Sequence, residues 1–175
     1  VEPENYIPIE VRGEKRIFAY GRDPNYPGWP DTLQLDFSNP ALQEALKKQL
    51  LSIAGMCDGL RCDMAMLLLP DVFEHTWRRP VRSFWPGAIE RVRERHPGFL
   101  FLAEVYWDLE WELQQLGFDY CYDKRLYDRL EFPYAPAIRD HLRADIVYQN
   151  RLARFLENHD EPRAAALFHL EMHKA

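Results

Sequence analysis

The chain has 175 residues, 47% of them hydrophobic, which is enough for one domain with a buried core. Its formal net charge of −6 disfavours nucleic acid and anionic membranes as partners, because both are bound through clustered lysine and arginine. No apolar run reaches the roughly 18 residues that a membrane-spanning helix needs, and no signal-peptide pattern opens the chain.

The three cysteines, Cys57, Cys62 and Cys121, lack the paired spacing of disulfide scaffolds and zinc sites. They are therefore either buried, reduced thiols or reactive ones, and their apolar surroundings favour buried thiols. This pattern predicts a cytoplasmic protein.

Residues 1–38 contain no long periodic segment and are rich in proline, glycine, tyrosine and asparagine. This composition predicts a loop-rich region, and the turn-forming residues of 20–30 predict an ordered loop able to bind a partner molecule. The chain begins without methionine, and we expect both of its ends to be cuts through a longer protein.

A regular pattern begins at Asn39, a good helix cap, followed by Pro40 at the first helical position. Apolar residues then recur at helical spacing as far as Gly55, where the helix is predicted to stop. Further helices are predicted at 86–95, 109–116, 136–148 and 164–172, with an irregular stretch before the first of these. Strands are predicted at 59–64, 99–103, 118–122 and 152–157.

Alternation of helices with strands predicts an α/β fold with a parallel sheet. The continuous apolar run 99–103 fits a parallel strand buried on both faces. No Gly-x-Gly-x-x-Gly or phosphate-binding loop follows any strand, so we expect no nucleotide cofactor.

Three carboxylates, Asp63, Glu104 and Asp160, each lie at or near the end of a predicted strand. In (β/α)8 barrels the active site gathers at the carboxyl ends of the strands, so folding should bring the three together. Cleavage of a glycosidic bond needs two carboxylates that face each other across it. The spacing therefore predicts a sugar-cleaving site.

Three segments resemble, in order, signatures of the alpha-amylase family of glycoside hydrolases (family 13). They are Asp-Gly-Leu-Arg-Cys-Asp-Met-Ala at 58–65, Leu-Ala-Glu-Val-Tyr-Trp at 102–107 and Phe-Leu-Glu-Asn-His-Asp at 155–160. Gln-Leu-Asp at 34–36 resembles a weaker accessory signature. The resemblance spans about residues 31–165.

The resemblance implies a partial (β/α)8 TIM barrel of about four parallel strands with helices, preceded by the tail of an inserted domain. Two domains are accordingly expected. Residues 1–38 would be the loop-rich remnant of that inserted domain, and residues 39–175 the partial barrel that carries catalysis.

By position, the resemblance implies that Asp63 is the nucleophile, Glu104 the general acid and then base, and Asp160 the residue that stabilises the transition state. Arg61 lies two residues before Asp63 on the same strand face, where its charge favours an ionised nucleophile. The apolar run before Glu104 would desolvate that carboxyl, as suits an acid.

The substrate-binding residues implied are Arg61, His159, Tyr106 and Trp107. His159 would hydrogen-bond the sugar at the cleavage site, and Tyr106 and Trp107 offer flat faces on which sugar rings can pack. The expected activity is hydrolysis or transfer at α-glucosidic bonds with retention, on an oligosaccharide or α-glucoside.

The chain departs from the family in two places. The family's first signature, an Asp with a downstream Asn-His pair, is absent, which removes a main calcium ligand, so we expect no metal. Met66 and Leu67 stand where many amylases have Lys-His, so starch is not indicated.

Because the first signature is absent, barrel strands 1 to 3 are expected to be missing, and strand 8 as well. The alternative reading is therefore a catalytically incomplete fragment, or a non-enzymatic interaction module that keeps the family fold. Open parallel edges would also permit self-association.

Overall fold

A computed structural model describes residues 3–132 and 134–168. Within this part of the chain, no helix has the length and apolar character needed to cross a bilayer. Short 3₁₀ turns lie at Pro3–Asn5 and Ala65–Leu68. The regular elements, in chain order, are β1 (Tyr6–Val11), β2 (Glu14–Gly21), β3 (Trp29–Leu33), α1 (Pro40–Ala54), β4 (Gly59–Cys62), α2 (Pro70–Trp77), α3 (Trp85–Arg93), β5 (Leu100–Ala103), α4 (Glu110–Gln115), β6 (Tyr120–Tyr122), α5 (Lys124–Glu131), α6 (Ala135–Leu142), α7 (Ile146–Gln149), β7 (Leu152–Ala153) and α8 (Ala164–Leu167).

Contacts between residues divide the chain into two compact units. The first unit comprises Val1–Gly55 and Leu67–Arg95, and the second comprises Met56–Met66 and His96–Ala175. The expected domain boundary after residue 38 does not coincide with this division and stays a prediction.

The first unit contains an antiparallel sheet of order β1-β2-β3. The strands β1 and β2 form a hairpin whose two-residue loop, Arg12 and Gly13, has φ angles of 54° and 81°. Two positive φ angles are what the tight type I′ hairpin turn requires. Residues 1–38, predicted as a loop-rich region, thus contain three strands, and alternating exposure along β1 supports a half-buried strand. The predicted loop at 20–30 is confined to residues 22–28.

Helix α1 begins and ends where the sequence predicts. The Asn39 side chain accepts a hydrogen bond of 2.9 Å from the backbone N–H of Ala41, and Gly55 caps the other end. Helix α3 confirms the helix predicted at 86–95, with Ile89 and Val92 buried. The stretch expected to be irregular contains α2, whose signals are Pro70 at its first position and an acid in its first turn.

The second unit contains a parallel sheet of order β4-β5-β6-β7, which confirms the predicted α/β class with about four parallel strands. Cys62 pairs with Ala103, Ala103 with Cys121, and Cys121 with Leu152. These four residues therefore lie at one level across the sheet. The largest buried side chains of the unit include Phe101, Phe118, Val105, Leu113 and Tyr127.

The last part of the chain differs from prediction in its boundaries. Strand β7 ends at Ala153 instead of residue 157, and the helix predicted at 136–148 is two helices, α6 and α7. The break between them has a local cause, because the Asp145 side chain caps α7 by accepting the N–H of Val147 at 2.7 Å. Helix α5, which was not predicted, is capped in the same way by Asp123. Of the helix predicted at 164–172, Ala164–Leu167 is present and residues 169–172 lie outside the described residues.

Gly59 provides a test of the β4–β5 contact. A Cβ atom at this position would lie 2.8 Å from the carbonyl oxygen of Leu100, whereas a Cβ at Gly98 would meet no atom within 4 Å. We expect Gly59→Ala to lower the free energy of unfolding by about 2 kcal/mol. Gly98→Ala, the matched control, should change it far less. Urea unfolding of both variants measures this, and equal effects would contradict the close approach.

The three thiols give a second test. Cys57 is exposed, whereas burial raises the pKa of the Cys62 and Cys121 thiols to about 12 in each case. We expect one thiol to react rapidly with a disulfide reagent at pH 8 and two to react only on unfolding. Cys57→Ser should remove the fast phase alone.

The same shifts set a pH dependence. Both thiols hold their proton more tightly when folded, so their contribution to stability is present below pH 9 and is lost as the pH rises from 9 towards 12. Cys121→Ala should flatten that decline in the free energy of unfolding.

Candidate active site

Two of the predicted carboxylates leave neighbouring strands at the same level. Asp63 follows β4 and Glu104 follows β5, and the last residues of these strands, Cys62 and Ala103, are paired. Pairing continues past the strands, since the N–H of Glu104 donates to the carbonyl of Cys62 and the N–H of Ala65 donates to the carbonyl of Glu104, both at 3.0 Å. Both side chains therefore begin at the carboxyl edge of the sheet, where barrel active sites form.

One guanidinium group joins all three predicted carboxylates. Arg61 Nη1 is paired with Asp63 Oδ1. Arg61 Nη2 lies 2.7 Å from Glu104 Oε1 and 3.8 Å from Asp160 Oδ2. The structure thus brings Asp63, Glu104 and Asp160 around a single cation. The planar fork of arginine suits this shared role better than the point charge of lysine.

Arg61 is itself held by Tyr122, the last residue of β6. Arg61 Nε donates to the Tyr122 hydroxyl at 3.3 Å, and the guanidinium carbon lies 5.7 Å from the centre of the tyrosine ring. Burial acts to lower the pKa of Arg61, but the hydrogen bonds with Tyr122 and Asp63 and the charges of Glu104 and Asp63 raise it overall. Arg61 therefore stays charged.

Glu104 is desolvated as predicted, with its side chain 3% exposed. Its surroundings are not simply apolar, however, because it forms an ion pair with Arg61 and accepts two hydrogen bonds. The backbone N–H of Met64 donates to Oε2 at 2.7 Å and the Tyr106 hydroxyl donates to Oε1 at 3.0 Å. Burial, followed by the charge of Glu104, raises the pKa of Tyr106, so this hydroxyl remains a donor. The role of Tyr106 as a sugar platform stays a prediction.

Asp160 stands on a turn shaped by its neighbours. The Asn158 side chain accepts the backbone N–H groups of Asp160 and Glu161 at 2.9 and 2.8 Å. His159 Nε2 lies 3.0 Å from Asp160 Oδ2. The role of His159 in binding the sugar stays a prediction. Lys124 Nζ lies 3.0 Å from Glu161 Oε1 and so fastens this turn to the start of α5.

Left-handed backbone conformations follow both strand-end carboxylates. Met64 has a φ of 42°, and Trp107 and Asp108 have φ values of 61° and 62°. Each such non-glycine residue costs about 1 kcal/mol and persists only where its surroundings hold it. The ion pair of Asp108 with Arg125 is one such restraint. Trp107 is 38% exposed, so its ring face is open, and its role in sugar packing stays a prediction.

Sequence reasoning missed three contributors to the site: the Tyr122 ring, the Met64 backbone N–H and the Lys124 ammonium. Tyr122 had a usable signal, since it ends a predicted strand as the carboxylates do. The other two had none, because a backbone donor carries no residue identity and Lys124 acts through Glu161.

No group of three or more histidine, cysteine, aspartate or glutamate side chains that could hold a metal ion occurs in residues 3–132 and 134–168. In the first unit, Asp36 of the accessory signature is paired with Arg79 at 2.9 Å. Its hydrogen bonds with Ser38 and the charge of Arg79 hold its pKa below the usual range.

A parallel sheet with carboxylates clustered at its carboxyl edge has the architecture of a partial (β/α)8 barrel. Solved structures with a similar fold include enzymes of the alpha-amylase type. The chain is similar in fold to a maltogenic alpha-amylase of Thermotoga neapolitana (25% identity, TM-score 0.57), covering 85% of this chain and 34% of that one. It is also similar to the Geobacillus thermoleovorans alpha-amylase complexed with acarbose (24%, 0.60), covering 80% and 32%.

A debranching enzyme of Nostoc punctiforme is similar as well (20% identity, TM-score 0.58), with 85% of this chain and 36% of that one covered. No protein-family profile and no curated protein sequence matches the chain. The chain spans about a third of the length of these solved structures. The resemblance to alpha-amylase family enzymes is thus confirmed at the level of the fold.

The unequal burial of the partners of Arg61 predicts unequal couplings. Glu104 is 3% exposed and Asp63 is 76% exposed. Arg61→Met leaves Glu104 buried without its cation, so we expect a loss of about 3 kcal/mol in the free energy of unfolding.

A double-mutant cycle by urea unfolding separates the two pairs. Arg61 should couple strongly to Glu104 (in Glu104→Gln) and by less than about 1 kcal/mol to Asp63 (in Asp63→Asn). The reverse order would contradict the assignment of Glu104 as the main partner of Arg61.

Proposed function

We propose that this chain carries the reacting carboxylates of a retaining glycosidase or transglycosylase of the alpha-amylase type, acting on α-glucosidic bonds. The observation that carries the proposal is the convergence of Asp63, Glu104 and Asp160 on Arg61 at the carboxyl edge of the parallel sheet. Retention requires two carboxyl groups about 5–5.5 Å apart, and two carboxylates that share one guanidinium are suitably close.

In the proposed double displacement, an Asp63 oxygen attacks the anomeric carbon while the bond from that carbon to the leaving oxygen breaks. Glu104, which must be protonated in the complex with substrate, gives its proton to the leaving oxygen, which yields a glycosyl ester on Asp63. Glu104 then removes a proton from water, or from a second sugar hydroxyl, which attacks the anomeric carbon and frees Asp63. Asp160 binds sugar hydroxyls and favours the positively charged transition state.

The exposure of Asp63 and Glu104 is consistent with these two roles. Asp63 is largely exposed and can reach a substrate directly, whereas Glu104 is covered by Arg61, Met64 and Tyr106. Substrate binding must therefore shift part of this cover before Glu104 can protonate a leaving group. The Tyr106 hydroxyl lies 3.0 Å from Glu104 and keeps that carboxyl in position.

The proposed partner is an oligosaccharide or α-glucoside. The Geobacillus thermoleovorans amylase, which is similar in fold, was solved with acarbose. Beside the carboxylates, His159 and the open ring of Trp107 supply the hydrogen bonding and ring packing that sugars use. A cytoplasmic location remains part of the proposal and rests on the cysteine content.

Turnover of a 4-nitrophenyl α-glucoside tests the reaction. Asp63→Asn should lower kcat/KM by about 10⁴-fold, because it removes the nucleophile. Asp58→Asn, a change at an exposed acid before the same strand, is the matched control and should leave the rate close to that of the wild type. Proton NMR of the first product should show the α-anomer. Turnover that does not depend on Asp63, or a β-anomer, would overturn the proposal.

The role of Glu104 as general acid is tested by comparing two substrates whose leaving groups differ in their need for a proton. Glu104→Gln should reduce cleavage of maltose, whose leaving sugar needs a proton, by at least tenfold more than cleavage of the activated nitrophenyl glucoside. An equal loss on both substrates would assign Glu104 a different role.

A second candidate is a catalytically incomplete portion of such an enzyme, or an interaction module with the family fold. It is favoured by coverage, since the chain spans only 30–36% of its structural neighbours. Strands β4 and β7 form the edges of the described parallel sheet, and self-association through them is part of this candidate. It predicts no turnover in the wild type together with a concentration-dependent mass in sedimentation. Turnover that depends on Asp63 would rule it out.

A further inference from the structure

A cavity of about 320 Å³ lies among the helices of the second unit, lined by residues of α4, α5, α6 and α7. Its volume is at the lower end of those of small-molecule sites in proteins. The cavity does not contain Asp63, Glu104 or Asp160 in its lining, so the proposed reaction does not account for it.

Two polar groups that line this helix pocket are buried, and one of them has no hydrogen-bond partner among the described residues. Glu110 is 2% exposed, and the hydrogen bond that its carboxyl receives comes from its own backbone N–H. Arg129 Nη1 is buried and has no hydrogen-bond partner among the described residues. Leaving a buried N–H group unsatisfied is costly, so Arg129 Nη1 at this cavity indicates a ligand that supplies an acceptor. The Glu110 carboxyl can accept a hydrogen bond from the same ligand.

An aromatic platform stands beside them. Trp111 is 48% exposed although it lines the pocket, and its ring lies 6.3 Å from that of Tyr148 in an edge-on arrangement that fixes its orientation. Burial raises the pKa of Tyr148, so its hydroxyl remains a neutral donor. The pocket thus offers a flat apolar face together with hydrogen-bonding groups of both kinds.

The charges in the lining select against an ionic ligand. Asp108 is paired with Arg125, and His141 is engaged with the buried Asp123 outside the lining. The remaining Glu110, Asp140 and Arg129 carry both signs. A small anion would be repelled by the two acids, and a small cation by the guanidinium groups. A neutral ligand rich in hydroxyl groups satisfies all of them, because each hydroxyl both donates and accepts.

We propose that the helix pocket binds a sugar ring, packed on Trp111 and hydrogen-bonded by Glu110, Arg129 and Asp140, as a second carbohydrate site apart from the strand-end carboxylates. The choice of an α-glucan as the source of that ring rests on the proposed function. The pocket's preference for a neutral, polyhydroxylated ring rests on its own side chains.

Maltose titrated into the Asp63→Asn chain tests this, because binding is then measured with turnover disabled. Shifts of the Trp111 indole signal and of the Ala144 backbone amide signal in NMR should saturate. Trp111→Ala, followed through the Ala144 amide because the indole is gone, should weaken the affinity of that site about tenfold. Asp140→Ala, at an exposed residue whose loss does not threaten folding, should weaken it about fivefold. Tyr26→Ala removes an exposed aromatic from the other unit and should have no effect.

Cellobiose, inorganic phosphate and putrescine complete the design. Maltose binding that depends on Trp111 and Asp140 supports the site. Equal binding of cellobiose still supports a sugar site but contradicts a preference for α-linked sugars. Binding of phosphate or putrescine in place of sugars, or no shift of the Trp111 signal with any sugar, overturns the proposal. The hydrolysis assay fails or succeeds independently, since it reads Asp63 and not Trp111.

Discussion

The arrangement at the carboxyl edge depends on one interaction, the sharing of the Arg61 guanidinium among three carboxylates. Asp63, Glu104 and Asp160 would repel one another at this separation, and a central cation offsets that repulsion. The ion pair of Arg61 with Glu104 also offsets the free-energy cost of burying the Glu104 carboxylate. Arg61 can serve in this way because Tyr122 fixes its plane from the next strand but one. The carboxylate cluster is therefore stabilised by an interaction that reaches across the sheet.

The register of the sheet sets the level of Asp63 and Glu104, and the local backbone conformation after β4 sets their surroundings. Pairing of Cys62 with Ala103 sets Asp63 and Glu104 level, and no side chain is needed for that. The environments of Asp63 and Glu104 differ because of Met64, the residue that follows Asp63. Met64 turns into a left-handed conformation and aims its N–H at Glu104, while Asp63 is left facing solvent. Two acids that start from equivalent positions thus have unequal exposure, which is consistent with the different roles proposed for them.

The sequence was most informative where chemistry and position coincide. Asn39 and Gly55 marked the ends of α1 because caps are specified by residue type. The continuous apolar run 99–103 marked β5 as a buried parallel strand. The three strand-end acids could be found because a strand end is visible in the pattern. Contacts between distant segments were not predictable. Nothing in the local sequence indicates that Arg61 pairs with Glu104, that Lys124 holds Glu161, or that β1 and β2 form a hairpin around Arg12.

The left-handed residues after the strands bear on which substitutions the chain can accept. At positions 64, 107 and 108 the backbone requires φ values of 42–62°. Glycine, asparagine and aspartate reach this region at least cost, and β-branched residues are nearly excluded from it. In any library of variants, then, valine and isoleucine should be depleted at these three positions, independently of whether the side chain there touches a sugar. The pattern of tolerated residues would then report the backbone geometry beside Asp63 and Glu104.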